Sequence, residues 1–122
     1  MKRRVVITGL GVVSPIGIGI DAFWAGLSEG RNGVSRIESI DTEALKLPVH
    51  FAGEIKDFDP SVLFSRKEAR HLDRFAQFAL SASQQAVDDA RIDFDAIDRL
   101  RAGCIWASGI GGLEEIEAQH RV

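Results

Sequence analysis

Arg3-Arg4-Val5-Val6-Ile7-Thr8-Gly9-Leu10-Gly11-Val12-Val13-Ser14-Pro15-Ile16-Gly17 opens on a β-branched run that stops at glycine. Branched side chains crowd a helical turn but pack well on a pleated surface. A continuous apolar run without polar alternation is the pattern of a strand covered on both faces. Val5–Thr8 is therefore expected to be a central strand of a largely parallel sheet. Ala102-Gly103-Cys104-Ile105-Trp106-Ala107 reads as a second buried strand. Between them, Asp21 is placed to cap a helix over Ala22–Glu29, with Phe23, Trp24 and Leu27 on one side and a stop at Gly30. Residues 34–50, which include Pro48, carry no clean period and read as irregular. Phe51–Lys56 alternates as a half-exposed strand, with Phe51, Gly53 and Ile55 on one face.

The most periodic segment follows. Ser65-Arg66-Lys67-Glu68 has capping-box spacing, in which Ser65 and Glu68 satisfy each other's backbone amides. Leu72, Phe75, Ala76, Ala79, Leu80, Ala86, Val87 and Ala90 then recur at three- and four-residue steps, which predicts one long amphipathic helix. Arg91–Arg99 is a charged connection with a turn of helix near Ala96-Ile97, and Ser108–Gly112 leads into a helix starting near Leu113. Strands alternating with helices make an α/β layered fold the expectation, with helices on a mixed, largely parallel sheet. Too few strands are identifiable for those helices, and the last helical pattern runs through Gln119-His120-Arg121-Val122 without a glycine or proline stop. The layered fold is thus expected to be incomplete in this chain.

Composition narrows the function classes. The 122 residues are 45% hydrophobic and 27% charged, as in one soluble globular domain large enough to bury a core without disulfide or metal. One cysteine cannot form an internal bridge, and no Cys/His cluster has metal-ligand spacing, so no metal or cofactor is expected. Met1-Lys2-Arg3-Arg4 precedes an apolar run too short for a leader, and no stretch is long enough to span a membrane, so the location expected is the cytoplasm. A net charge of -3 argues against a nucleic-acid partner.

Gly9-Leu10-Gly11 after a strand invites a dinucleotide reading, in which backbone amides approach a pyrophosphate at a helix N-terminus. Ser14 stands where the third glycine is needed, and Val13 where a short-chain dehydrogenase has its second. The next helix begins only near Ala22, too far to aim its dipole into that turn. The turn is read as structural.

Taken in order, Arg3–Gly17, Phe51-Ala52-Gly53, Lys56-Asp57-Phe58, Ser65-Arg66-Lys67-Glu68 with Arg70 and Asp73, and Ser108-Gly109-Ile110-Gly111-Gly112-Leu113 resemble the β-ketoacyl-acyl carrier protein (ACP) synthases, most closely the type II elongation enzymes. Each motif alone is weak; the ordered set covers nearly the whole chain. The resemblance implies a thiolase-type fold, a homodimer, fatty-acid chain elongation, and decarboxylative condensation of malonyl-ACP with an acyl group from acyl-ACP held on a cysteine. It also implies that residues 1–122 form the N-terminal part of the synthase domain and stop before that cysteine. Cys104 lacks the family's Ala-Cys-Thr/Ser context and reads as a buried small hydrophobe. His50, His71 and His120 match none of the family's catalytic histidines, so no catalytic residue is expected here.

Two further assignments follow from the resemblance. Ile110 occupies the position lining the acyl-chain pocket, against the alternative of ordinary packing. Lys67, Arg70, His71 and Arg74, at helical steps of three and four, form a cationic face suited to an acidic carrier protein, against the alternative of a merely solvated face. Lys67 and Arg70 match basic positions of the family, whereas His71 replaces a residue that is usually basic. Ser108 lacks the preceding glycine of a nucleophile elbow. A polyketide ketosynthase or chain-length factor shares this opening, and a non-catalytic helix-on-sheet module that binds an acidic partner is the alternative from another class.

Overall fold

The computed structural model describes residues 3–120. Met1-Lys2 and Arg121-Val122, which entered the reading of the leader and of the last helix, lie outside the described residues. The chain divides into two compact units, one of residues 12–58 and the other of the segment up to Gly11 together with Asp59 onward.

In the unit of residues 12–58, Val13–Ser14 (β1) and Gly17–Ile18 (β2) form an antiparallel hairpin, and Ile20–Ser28 is α1. The Ser14 hydroxyl fixes the turn by donating to the Gly17 carbonyl at 2.9 Å and accepting from the Ile16 amide at 3.3 Å. The expected cap at Asp21 is corrected. The helix starts earlier, after Gly19 at φ 85°, so Asp21 lies in the first turn and makes no cap bond. The buried residue of α1 is Gly26, whose missing side chain admits the Ile16 carbonyl, while Trp24 stays 67% exposed.

Ser35–Arg36 (β3) pairs antiparallel with Phe51–Ala52 (β4), which draws one strand from the stretch read as irregular and shortens the strand read over 51–56. Beyond Ala52 side chains replace the ladder. The Glu54 carboxylate accepts from the amides of Glu38 and Ser39 at 2.8 and 3.1 Å, and Lys56 pairs with Glu38 at 2.6 Å. The Ser39 side chain and those two amides hold the Glu54 carboxyl below its usual range.

The other unit is organised on Arg74–Ala90 (α3), preceded by the short Arg66–Ala69 (α2) and followed by Leu113–His120 (α4), with single 3₁₀ turns at Pro60–Val62 and Arg99–Arg101. The strands expected at Val5–Thr8 and Ala102–Ala107 are absent: among the described residues neither segment has a strand partner, and Val5 and Ile105 are 94% and 98% exposed. A strand exists only where a neighbour takes up its N–H and C=O groups, and β-branched composition cannot supply one. The stretch that follows the first segment, Gly9–Gly11, and the second segment itself are held by α3 instead. The Leu10 amide donates to Asp89 at 2.9 Å, and the Trp106 indole donates to the Ser83 hydroxyl at 2.7 Å. A Cβ on Gly9 would stand 2.6 Å from the Ala90 amide nitrogen, and one on Gly11 2.9 Å from that of Ala86. The two glycines thus let the N-terminal segment lie flush on the helix.

Among the described residues the sheets are these two-residue antiparallel pairs, so the largely parallel sheet of the expected fold is not assembled here. Among the described residues Phe58 and Ala82 are the buried apolar side chains, whereas Val6, Ile7, Leu100 and Trp106 are exposed. Short ladders, helices and uncovered apolar segments accord with an α/β domain present in part.

Candidate functional site

Segment 65–74 carries Arg66, Lys67, Arg70 and Arg74 against Glu68 and Asp73. The capping box forms as expected: the Ser65 hydroxyl accepts from the Glu68 amide at 3.3 Å, and the Ser65 amide donates to the Glu68 carboxylate at 2.9 Å. The Ser65 side chain first, and its amide second, hold the Glu68 carboxyl below its usual range. Glu68 is thereby engaged with its own helix terminus.

The single long helix expected from Ser65 is a correction. The chain leaves α2 at Arg70 and re-enters helix at Arg74, with Asp73 at the junction. Gln77 explains the break. Its buried side chain donates to the Ala69 carbonyl at 2.9 Å and the Leu72 carbonyl at 2.8 Å, occupying acceptors that the interruption leaves without helical donors. Sequence reading passed over Gln77 as a polar residue beside an apolar stripe; a glutamine three residues past a charged helix start is too common to signal such a staple.

The break changes the cationic arrangement. Lys67 lies on α2, Arg70 caps it, His71 stands in the turn, and Arg74 opens α3 with its guanidinium 5.1 Å from the Phe78 ring centroid. The four do not share one continuous helix face, although all are exposed. Lys67 and His71 line an open depression of about 510 Å³ with Ser65, Glu68 and Leu72; Arg70 and Arg74 are outside its lining. Ion pairs engage Arg31, Arg36, Lys56 and Arg99, but among the described residues none engages Lys67 or Arg70.

Ile110 is 76% exposed in a turn whose geometry selects its glycines. Gly111 has φ 88°, the Ser108 hydroxyl accepts from the Gly111 amide at 3.1 Å, and Gly112 faces the Asp73 carboxylate. Ser108 is thus a turn-forming residue. Cys104 is exposed, which corrects its reading as buried, and its sulfur lies 3.4 Å from the Ser83 hydroxyl. The His50 imidazole pairs with the buried Thr42 hydroxyl at 2.8 Å, and His120 ends α4. Among the described residues no cluster of His, Cys, Asp or Glu is arranged to hold a metal, and no helix is long and apolar enough to cross a membrane.

The family model described as β-ketoacyl synthase, N-terminal domain, matches residues 2–121, and the chain belongs to that family. It is 44% identical over 121 residues to the 3-oxoacyl-(acyl-carrier-protein) synthase 2 of Synechocystis sp. (strain ATCC 27184 / PCC 6803 / Kazusa), covering 99% of this chain and 29% of that protein. It is 43% identical to the synthase 2 of Vibrio harveyi, covering 98% of this chain and 28% of the relative. The chain thus spans less than a third of the length of these relatives. Among solved structures it resembles the ishigamide ketosynthase/chain length factor, with TM-score 0.68, 38% identity, and 80% of this chain and 24% of that one covered. It also resembles a type II polyketide ketosynthase, AntDE:AntF, in complex with its acyl-carrier protein and bound to the hexaketide, with TM-score 0.61, 36% identity, and 80% and 21% covered.

Proposed function

We propose that this chain is the N-terminal part of a β-ketoacyl-ACP synthase with a thiolase-like layered fold, and that the complete enzyme elongates fatty acyl chains. The observation that carries this reading is 43–44% identity, over nearly all of this chain, to the 3-oxoacyl-(acyl-carrier-protein) synthases 2 of Synechocystis sp. and Vibrio harveyi. The chemistry is a decarboxylative Claisen condensation. An acyl group rests as a thioester on a cysteine elsewhere in the enzyme; malonyl-ACP loses carbon dioxide; the resulting carbanion attacks the thioester carbonyl; and the thiolate leaves, giving 3-oxoacyl-ACP. Lys67, Arg70 and His71 offer cationic and polar groups to the acidic carrier, Arg74 adds charge from the start of α3, and Ile110 lines the acyl pocket. The complete enzyme is a cytoplasmic homodimer, and the uncovered segments 5–8 and 102–107 are where the rest of the sheet adds.

The test is to supply the complete enzyme with malonyl-ACP and an acyl-ACP and follow carbon dioxide and 3-oxoacyl-ACP. Equimolar release of both supports the proposal, and release of neither refutes it. A polyketide ketosynthase is the second reading, favoured by the two solved structures above; repeated extension of one carrier-bound chain without reduction of its keto groups selects it. A free-standing non-catalytic module is disfavoured, because the family match runs from residue 2 to 121.

A further inference from the structure

Asp73 stands at the N-cap of α3, where an aspartate ordinarily accepts from the second or third amide of its own helix. It makes no such bond. Its carboxylate lies instead against Gly112, where a Cβ would come within 2.6 Å of the Asp73 Cγ and closer still to an oxygen, so a side chain there would have to displace the carboxylate. Gly112 ends the turn that bears Ile110. Among the described residues the turn is also braced internally, where Ser108 accepts from the Gly111 amide, by α4, where the Gly112 carbonyl accepts from the Ile116 amide at 3.0 Å, and on its N-terminal side by α3, where Ser83 accepts from the Trp106 indole at 2.7 Å. Asp73 therefore sets how closely the C-terminal end of the turn, at Gly112, approaches the start of α3.

We propose that Asp73 is a positioning residue for acyl-length selection: by seating Gly112 against α3 it fixes where Ile110 stands. This rests on the reading of Ile110 as a pocket residue. Selection by an apolar wall depends on its placement, since one methylene more or less in an apolar pocket changes discrimination by about tenfold or more and the wall sets how many fit. A side chain that merely stabilised the fold would alter turnover of long and short acyl groups alike.

The experiment measures kcat/KM of the complete synthase for a long and a short acyl-ACP and takes their ratio. Gly112→Ala, which drives a methyl into the carboxylate, is expected to shift the ratio about tenfold. Asp73→Ala shifts it as well, whereas the isosteric Asp73→Asn stays close to wild type. Asp73→Ala combined with Gly112→Ala returns toward wild type, because the methyl then occupies the vacated volume. Independent, additive shifts overturn the proposal, as does an equal loss for both substrates. Ile110→Phe is the control for the underlying reading. If it shifts the ratio while Asp73→Ala does not, the positioning role alone fails; if Ile110→Phe leaves the ratio unchanged, the pocket assignment beneath it fails.

Discussion

Replacing Gln77 with leucine keeps a side chain of similar volume in a buried position and removes both donors that close the break between α2 and α3. The two bonds, at 2.9 and 2.8 Å to the Ala69 and Leu72 carbonyls, each contribute about 1 kcal/mol net, so local opening of the junction should become easier by about 2 kcal/mol. At 1.36 kcal/mol per factor of ten, that is roughly a thirtyfold rise in the population of the open form. Native-state hydrogen exchange on the complete synthase reads it directly. The Ala69 and His71 amides, which donate to Ser65 and Glu68, should exchange roughly thirtyfold faster, while the Arg91 amide at the far end of α3 keeps its rate. Unchanged exchange at Ala69 and His71 would show that something other than Gln77 maintains the break. Uniform acceleration along α3 would show that leucine disturbs the whole helix.

The remaining expectations concern the cap, the glycine contacts and the thiol. Since Ser65 lowers the Glu68 pKa on folding, the capping box stabilises above the unfolded value of 4.5 and is lost as pH falls through the depressed folded value; α2 exchange should stay protected from neutral pH to about 5 and weaken below that window, a dependence that Ser65→Ala removes. Gly11→Ala places a methyl against the Ala82 and Ala86 backbone and should destabilise by about 1–3 kcal/mol in a denaturant titration, whereas Gly103→Ala, with nothing within 4 Å of the added carbon, should be far milder. Cys104→Ser in the complete synthase should leave condensation intact; abolished acyl-enzyme formation would make Cys104 the nucleophile.

Local chemistry was legible where a few neighbouring residues decide the outcome. Ser65 and Glu68 announce their cap by spacing, the apolar stripe from Phe75 to Ala90 announces α3, and Leu113 was correctly placed at the start of α4. What was not legible depends on distant partners. Val5–Thr8 carries every local mark of a strand, yet strand formation requires another backbone at its edge, and within this chain α3 holds the adjoining segment instead. The break at residues 70–73 was hidden because it is maintained by Gln77 from the following helix. The charges of the candidate docking segment could be read from sequence; their division between α2, its cap and α3 could not.

If the proposed docking of an acidic carrier on this segment holds, reversal of Lys67 and Arg70 to glutamate should disable it. Both side chains are exposed and without ion-pair partners among the described residues, so reversal exchanges attraction for repulsion with no salt bridge broken. In the complete synthase, KM for acyl-ACP should rise about tenfold or more at low salt, mostly through slower association. The loss should shrink as ionic strength increases and the Debye length falls below about 8 Å. Acyl transfer from a small carrier-free thioester should keep its rate. Equal losses with carrier-bound and carrier-free substrates, independent of salt, would show that Lys67 and Arg70 do not dock the carrier.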